Sequence, residues 1–304
     1  MQCVPFESIA LDAYPQKSAW EATAAELVAT MLDRWHLTVE DAYVGGSGGS
    51  VLRVHKKDGS PAVLKVGFPH FEGLWEAVGL ELMAPVAPQV LRQDPWTWSL
   101  LLELVEPGTQ LHSVPMQPDE ALDVAAGVLA RIHQTAAPDG VLTLESVIDA
   151  YASSARDRFD EQRVDLERLG VRQLVERAVD DSIKLAASGP QHPLLHGDFN
   201  PGNVLSSGEG GWMVVDPKPM TGDSAFDPAP LIAQIGDPWT ASDPADVLRS
   251  RFERFCLATG IDAPRAMHWA FVRAGYDVTW YLEDGNAPAA ESSASRLTVL
   301  TRLL

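Results

Sequence analysis

The sequence is poor in cysteine and contains no long hydrophobic run. Cys3 and Cys256 are the only cysteines among 304 residues, which excludes a disulfide framework and a zinc site built from cysteine pairs. No stretch reaches the roughly 18 consecutive apolar residues of a transmembrane helix. The first basic residue is Lys17, and no apolar segment typical of a signal peptide precedes it. We therefore expect a cytoplasmic protein with no membrane partner and two inert thiols.

Positive charge is also scarce. The chain has 23 lysines and arginines against 42 aspartates and glutamates, a formal net charge of −19. Because a nucleic-acid-binding protein neutralises phosphates with basic side chains, nucleic acid is not an expected partner. The acidic excess has two interpretations at this level. It serves solubility, or it attracts a cationic ligand.

The residues that are present predict a globular chain that begins with a helix and continues with strands. Hydrophobic residues make up 46% of the sequence, enough for a sizeable core. Ser18 and Glu21 form a capping box for a helix over 18–37. Periodicity and turn residues then predict strands at 51–54, 62–66 and 99–105, a hairpin turn at Asp58-Gly59, a helix over 70–83 and a turn at Pro107-Gly108.

After Pro118 the pattern becomes helical. Long amphipathic segments follow Pro118, cover 144–187 and return from 244 onward, with a polar insert and a short strand at 212–215 between them. A small β-rich half followed by a larger helical half indicates an α+β fold. We predict an N-terminal domain over 1–105 and a helical C-terminal domain over 106–304.

One segment carries most of the chemical information. Residues 194–205 read LLHGDFNPGNVL, and Asp216 follows a second apolar run. Asp198, Asn203 and Asp216 could bring oxygen ligands together, and such ligands suit Mg²⁺. The alternative is that these are ordinary turn residues, since Asp, Asn, Pro and Gly are common in turns.

Lys65 is a second candidate. It lies within the predicted strand Ala-Val-Leu-Lys-Val and is one of six lysines in the chain. A buried lysine is costly without an anionic partner, so an inward-facing Lys65 would require a carboxylate or a phosphate. An edge-strand lysine facing solvent is the alternative.

These motifs resemble the aminoglycoside phosphotransferase family, which has a protein-kinase-like fold. His196-Gly-Asp198 followed by Asn203 matches the HGDxxxxN catalytic loop, and VVDPKPMTGDSAFDPA over 214–229 matches the metal-binding segment. The subgroup of streptomycin 6-kinases and hydroxyurea phosphotransferases is the most similar, through GGSGGSVLRV, AVLKVGFPH, LLELVEPG, DPKP and WYLEDG. The resemblance extends from about residue 30 to about residue 290.

The resemblance implies a role for each matching residue. ATP would bind in the cleft between a small β-rich lobe and a larger helical lobe. Asp198, on the catalytic loop 194–205, would be the base that receives the acceptor's proton, and Asn203 with Asp216, on the metal loop 214–229, would hold Mg²⁺. His196 and Asp227 would be structural. Because Asp216-Pro217-Lys218 replaces the protein-kinase DFG step, we expect a constitutive small-molecule kinase.

The nucleotide would be held mostly by the N-terminal lobe. The resemblance places Lys65 on the ATP phosphates, paired with Glu76, and Glu72 is an alternative partner on the same helical face. Backbone groups of Glu103 and Val105 would bind adenine. The glycine-rich segment would cover the phosphates, although a linker or a plain hairpin turn also fits this composition; its members are Gly45, Gly46, Ser47, Gly48 and Gly49.

The acceptor would lie against the C-terminal helices. Asp277, Glu283 and Asp284 cluster with Trp280 and Tyr281 on a predicted helix. Carboxylates beside aromatic rings suit a guanidinium or ammonium group, and an ordinary solvated helix face is the alternative. The resemblance selects Trp280, Glu283 and Asp284, together with Asp198, as acceptor-binding residues.

The leading hypothesis is an ATP- and Mg²⁺-dependent O-phosphotransferase acting on a cationic small molecule. An aminoglycoside such as streptomycin is the expected acceptor, which would make the reaction an antibiotic inactivation. Hydroxyurea, a metabolic sugar or an amino alcohol is the alternative acceptor. A kinase-like binding module without activity is the non-enzyme alternative, and a monomer is the default expectation.

Overall fold

The structure, a computed structural model, describes residues 17–43 and 49–304. Gly45, Gly46, Ser47 and Gly48, predicted to cover the phosphates, lie outside the described residues, as does Cys3. The helices are α1 Lys17–Trp35, α2 Glu76–Leu82, α3 Pro118–Ile132, α4 Leu144–Arg158, α5 Arg163–Arg168, α6 Arg172–Ser188, α7 Pro228–Ile232, α8 Pro244–Thr259, α9 Ala263–Glu283 and α10 Ala287–Leu300. The strands are β1 Thr38–Tyr43, β2 Gly49–His55, β3 Pro61–Gly67, β4 Val90–Asp94, β5 Ser99–Leu102, β6 Pro107–Gln110, β7 Leu194–Leu195, β8 Val204–Ser207, β9 Gly211–Val214 and β10 Met220–Thr221.

The N-terminal part is built around an antiparallel five-stranded sheet. Its strand order is β1-β2-β3-β5-β4, which places β3 in the centre between β2 and β5. Alternate residues of β3, namely Ala62, Leu64 and Val66, are fully buried in one core with α1. Because side chains alternate across a strand, Lys65 points to the opposite face of the sheet. The β3 sequence therefore determines that its lysine faces away from α1.

Two predicted elements in this part are wrong in detail. The helix predicted over 70–83 begins as a 3₁₀-helix, Phe71–Trp75, and becomes α-helical only at Glu76. The His70 side chain accepts a hydrogen bond from the Gly73 amide, which stabilises this first turn. The strand predicted over 99–105 ends at Leu102, where its four buried residues end.

The Pro107-Gly108 prediction is also corrected, because these residues begin β6 rather than form the predicted turn. β6 pairs with β8, and β8 pairs with β9, in a separate three-stranded sheet. The predicted boundary at 105/106 lies in the segment that connects β5 to β6, and it stays a prediction.

The C-terminal part is helical, and α9 lies at its centre. Eleven of its residues are buried, and it packs against α6 and α10 among others. A Cβ on Gly275 would lie 2.4 Å from the Cβ of Ala178 on α6, so the close approach of the two helices requires glycine there. Among the described residues, no helix has the length and apolar character needed to cross a membrane.

Candidate active site

A two-stranded hairpin brings Asn203 opposite Val215, the residue before Asp216. Val204 at the start of β8 is opposite Val214 at the end of β9, so the residues just outside this pair are also neighbours. The Val215 amide donates to the Asn203 carbonyl at 3.0 Å. The two predicted metal ligands are thirteen positions apart in the sequence, and strand pairing places the Asn203 backbone against the residue that precedes Asp216.

Asp198 is held by the loop that leads into this hairpin. Its carbonyl accepts hydrogen bonds from the Asn200 amide at 2.9 Å and from Nδ2 of Asn203 at 3.0 Å. Asn200 Oδ1 in turn accepts from the Gly202 amide at 2.9 Å. These bonds connect the Asp198 backbone to Asn200 and Asn203 and stabilise the loop conformation.

Asp227 accepts hydrogen bonds from the backbone of the same loop. It is 1% exposed, and its two carboxylate oxygens accept hydrogen bonds from the backbone amides of His196 and Gly197, both at 2.9 Å. His133 Nε2 lies 2.9 Å from Oδ2. Burial alone would raise the pKa of Asp227, but the hydrogen bonds from His133 and from the His196 amide lower it overall. These contacts make Asp227 a structural acid of the loop.

The side chain of His196, within the loop, points into the protein interior. It is fully buried, in edge contact with the Phe199 ring at 5.7 Å, and Nδ1 accepts from the Asp198 amide at 3.3 Å. Burial lowers the pKa of His196. A neutral, buried imidazole suits packing and orientation of the loop better than proton transfer to a ligand.

The segment after Asp216 passes very close to the loop. The Lys218 amide donates to the His196 carbonyl at 2.8 Å, and a Cβ on Gly197, whose φ is +79°, would lie 2.1 Å from the Lys218 carbonyl oxygen. Only glycine fits this position. Asp216 itself has a φ of +57°, a conformation that costs a non-glycine residue about 1–3 kcal/mol. Such strain is typical of functional sites.

Lys65 faces these residues from the sheet. Its Nζ lies 2.6 and 2.7 Å from the two carboxylate oxygens of Glu76 and 2.6 Å from Oδ1 of Asp216. Burial alone would lower the pKa of Lys65, but the Glu76 and Asp216 carboxylates raise it. The same ion pair offsets the effect of burial on Asp216 and lowers its pKa. The predicted pairing of Lys65 with Glu76 is confirmed as a contact.

Glu72 has different partners. Its carboxylate accepts a hydrogen bond from the Tyr151 hydroxyl and lies 3.7 Å from Nζ of Lys218. Burial raises the pKa of Tyr151 well above its usual value, and the Glu72 carboxylate adds to this effect. Glu72 therefore links the N-terminal part to two residues of the helical part, and the alternative pairing with Lys65 is wrong.

Two cationic residues near Asp198, Arg273 and Lys218, were assigned no role from the sequence. Arg273 on α9 places Nη2 at 3.3 Å from Oδ1 of Asp198. The Glu72 carboxylate raises the pKa of Lys218, which keeps this ammonium group charged. Arg273 is four residues before Asp277 in a stretch of α9, AFVRAGYDVTW, that has no other charged residue. Two charges one turn apart within such a run are the sequence signal that could have identified Arg273.

The residues predicted to bind the acceptor are spread along α9. Trp280 packs against the ring of Tyr151 at 5.1 Å between centroids. Glu283 pairs with Arg158 at 2.8 Å, and Asp284 follows at the exposed end of the helix. Glu283 lies ten residues beyond Arg273, about 15 Å along the helix axis. The structure therefore does not bring Glu283 and Asp284 next to Asp198, and their role stays a prediction.

The segment predicted to bind adenine follows β5. The Glu103 amide donates to the Gln89 carbonyl at 2.9 Å, and the Glu103 carboxylate accepts from the Gln89 amide at 3.1 Å. The side chain and the amide of Glu103 are therefore both hydrogen-bonded within the protein. Its carbonyl is the group of this residue that an adenine ring would have to contact.

These side chains surround a cleft of about 300 Å³. Its walls carry carboxylates from both parts of the chain, two lysines, and the aromatic rings of Phe68 and Trp98; the charged members are Lys65, Glu72, Glu76, Asp94, Asp198, Asp216 and Lys218. A pocket with lysines between carboxylates can hold a phosphate chain and a cation together. The geometry is suited to phosphoryl transfer.

Residues 34–285 match the family described as aminoglycoside/hydroxyurea antibiotic resistance kinases. The chain belongs to this family. It is a small-molecule kinase, and the resemblance stated from its motifs is confirmed. The streptomycin 6-kinase of Streptomyces glaucescens is 33% identical over 292 residues, covering 92% of this chain and 91% of that protein. The hydroxyurea phosphotransferase of Kitasatospora aureofaciens is 31% identical, covering 90% of this chain and 77% of that protein.

The protein-kinase-like fold expected for an antibiotic resistance kinase is also confirmed. A crystal structure of an aminoglycoside phosphotransferase, solved with AMP-PNP and hygromycin B, superposes with a TM-score of 0.62. It covers 90% of this chain and 97% of that one at 19% identity. The sheet-bearing N-terminal part and the helical C-terminal part follow the same architecture.

Proposed function

We propose that this kinase transfers the γ-phosphoryl group of ATP to a hydroxyl of an aminoglycoside such as streptomycin, and thereby inactivates the antibiotic. One observation carries the proposal. Asp198 lies on the loop that leads to Asn203, and Asp198 and Asp216 line one cleft together with the Lys65–Glu76 ion pair. A base, a metal-binding pair and a phosphate-binding cation are the parts that phosphoryl transfer needs.

The nucleotide would bind with its phosphates toward Lys65. This lysine is held in place by Glu76, so little side-chain entropy is lost when a phosphate contacts it. Gly45 to Gly49 would cover the phosphates, and backbone groups of Glu103 and Val105 would contact adenine. The related fold crystallised with AMP-PNP supports a nucleoside triphosphate as the donor.

The donor atoms fit Mg²⁺. Asp216 would supply one carboxylate and Asn203 one amide oxygen, and the β8–β9 pairing places the Asn203 backbone against Val215, next to Asp216. Within the described part of the chain, no group of three or more acidic, histidine or cysteine side chains could enclose a metal by itself. Mg²⁺ usually takes one or two protein carboxylates and completes its shell with water and phosphate oxygens. When bound, it would neutralise charge on the phosphates.

The chain's own residues would perform the remaining steps. The acceptor hydroxyl would donate its hydrogen bond to Asp198, which orients it toward the γ-phosphorus and receives its proton as the new P–O bond forms. The bond between the γ-phosphorus and the bridging oxygen breaks, and ADP leaves with that oxygen. Arg273, at 3.3 Å from Oδ1, keeps the Asp198 carboxylate in one orientation.

The acceptor assignment can be tested by ADP release. Purified protein with MgATP is expected to release ADP at least about tenfold faster when streptomycin is added, since the full-length relative that it matches is a streptomycin kinase. A coupled ADP assay measures this, with hydroxyurea and choline as comparison acceptors. If hydroxyurea alone stimulates turnover, the streptomycin assignment is wrong and the phosphotransferase assignment stands. If no acceptor does and MgADP does not bind, the chain is a binding module.

The partner of Lys65 provides a second test. Glu76→Gln is expected to weaken MgADP binding about tenfold, or 1.4 kcal/mol, because Lys65 loses the carboxylate that orients it. Glu72→Gln is the matched control, since Glu72 contacts Tyr151 and Lys218 instead, and its effect on MgADP affinity is expected to stay within about twofold. Calorimetric titration measures both constants. Equal losses in the two variants would contradict the assignment.

A further inference from the structure

Lys218 is a cation that lines the cleft and has no role in the proposed reaction. It is two residues after Asp216, and its amide is hydrogen-bonded to the carbonyl of His196, two residues before Asp198. This bond places the Lys218 backbone against the catalytic loop. Lys218, Asp198 and Asp216 line the same cleft. In the proposed reaction the phosphoryl group would cross this cleft.

The other cations near the site have their partners. Lys65 contacts Glu76 and Asp216 at 2.6 Å, and Arg273 is hydrogen-bonded to Asp198. Lys218 has one anionic neighbour within 4 Å among the described residues, Glu72 at 3.7 Å. This distance suits an ion pair and is too long for a direct hydrogen bond. The ammonium group thus keeps hydrogen-bond donors that it can give to an incoming group.

The catalytic loop itself provides no cation for the phosphoryl group. Between Asp198 and Asn203 the sequence is Phe-Asn-Pro-Gly, without a basic residue. Charge on the γ-phosphoryl oxygens is nevertheless redistributed during transfer, and preorganised lysine or arginine side chains stabilise that redistribution. Lys218 comes from a different segment and lines the same cleft as Asp198 and Asp216.

We propose that Lys218 is a catalytic residue that contacts the phosphoryl oxygens during their transfer from ATP to the acceptor. In the step, the bond from phosphorus to the β–γ bridging oxygen breaks and the bond to the acceptor oxygen forms. The acceptor proton passes to Asp198, and Lys218 donates hydrogen bonds without losing its own proton. The inference rests on the proposed phosphotransferase function. Glu72, supported by the Tyr151 hydroxyl, is a positioning residue that aims Lys218.

Replacing Lys218 tests the proposal. Lys218→Met is expected to lower kcat about 10²–10³-fold, with KM for ATP changed less than about threefold, because the contact strengthens in the transition state. Lys218→Arg is expected to recover at least about tenfold of that loss, since guanidinium also donates to phosphate oxygens. Lys184→Met, at an exposed lysine paired with Asp181, is the matched control and is expected to match the unmodified protein.

The ligand affinities of Lys218→Met show whether Lys218 acts in the transition state or only in folding and nucleotide binding. The affinity for MgADP alone is expected to stay within about twofold in Lys218→Met. The affinity for MgADP with aluminium fluoride and the acceptor, which mimics the phosphoryl group in transfer, is expected to fall at least about tenfold. Equal losses for both ligands would overturn the proposal, because Lys218 would then only hold the nucleotide.

The double variant Glu72→Gln/Lys218→Met examines a purely electrostatic role. If Lys218 only neutralises Glu72, removing both charges restores kcat, and the proposal is wrong. If Lys218 contacts the phosphoryl group, the double variant stays at least as slow as Lys218→Met. Intrinsic hydrolysis of MgATP, with water as the acceptor, should show the same loss. A failure of streptomycin as acceptor therefore contradicts only the proposed acceptor and leaves the Lys218 measurement valid.

Discussion

Asp198→Ala is expected to lower kcat by about 10³-fold or more, which would abolish detectable ADP release in the presence of the acceptor. Asp198 lines the cleft, and its backbone is hydrogen-bonded to Asn203, one of the two proposed metal ligands. Without the Asp198 carboxylate, the acceptor hydroxyl loses both its orienting hydrogen bond and the receiver of its proton. Steady-state ADP release with saturating MgATP measures the loss.

Controls separate this loss from damage to the loop. The hydrogen bonds that hold the loop are made by the Asp198 backbone, which alanine retains, so the affinity for MgADP is expected to change less than about twofold. Asp198→Asn is expected to be as impaired as Asp198→Ala, because an amide cannot receive the proton. Asp160→Ala, at an exposed position on the helical part, is expected to retain full activity. Turnover by Asp198→Ala equal to that of the unmodified protein would refute the assigned role.

Asp227→Ala is expected to lower the free energy of unfolding by about 3–5 kcal/mol. The change leaves the buried amides of His196 and Gly197 without acceptors and removes the partner of His133. Asp227→Asn is expected to recover only part of the loss, since one amide oxygen replaces two acceptors and its NH₂ group would face a backbone N–H. Urea unfolding followed by circular dichroism measures the effect. A loss below about 1 kcal/mol would contradict the role of Asp227 in stabilising the loop.

The stability contributed by Asp227 has a defined pH dependence. Because the folded-state pKa lies below the ordinary value of 3.8, the unfolded chain binds a proton at higher pH than the folded chain does. The stabilisation is therefore fully present above about pH 5 and is lost as the pH falls through the folded-state pKa. The difference between the unmodified protein and Asp227→Ala should shrink with acid. A difference that stays constant from pH 7 to pH 2 would contradict this explanation.

The pairing of Lys65 shows how far local sequence reasoning extends. Strand alternation predicts that Lys65 faces opposite to Leu64 and Val66, and the structure has this arrangement. Glu72 and Glu76 could not be separated from sequence, because both would share one face of a continuous α-helix. The 3₁₀ geometry of Phe71–Trp75 turns the chain by about 120° per residue instead of 100°. The two acids consequently face different partners.

The positions of Arg273 and Lys218 in the site could not be predicted from local sequence patterns. Arg273 is 75 positions from Asp198 and comes from a helix whose packing on α6 and α10 decides where it reaches. Lys218 is close in sequence to Asp216, yet its place beside the catalytic loop depends on the glycine-mediated approach of Gly197. Neither arrangement follows from periodicity, because both result from side-chain packing between distant segments.

The sequence by itself determined the family, the order of a β-rich part before a helical part, and the residues proposed as a base, two metal ligands and a phosphate-binding lysine. These depend on residue types at short spacings, where chain connectivity limits the geometry. The tertiary structure alone decided that Glu76 pairs with Lys65, that Asp227 holds the loop through two backbone amides, and that Arg273 and Lys218 flank Asp198. Those contacts join different secondary-structure elements, which come together only when the folded chain packs its core.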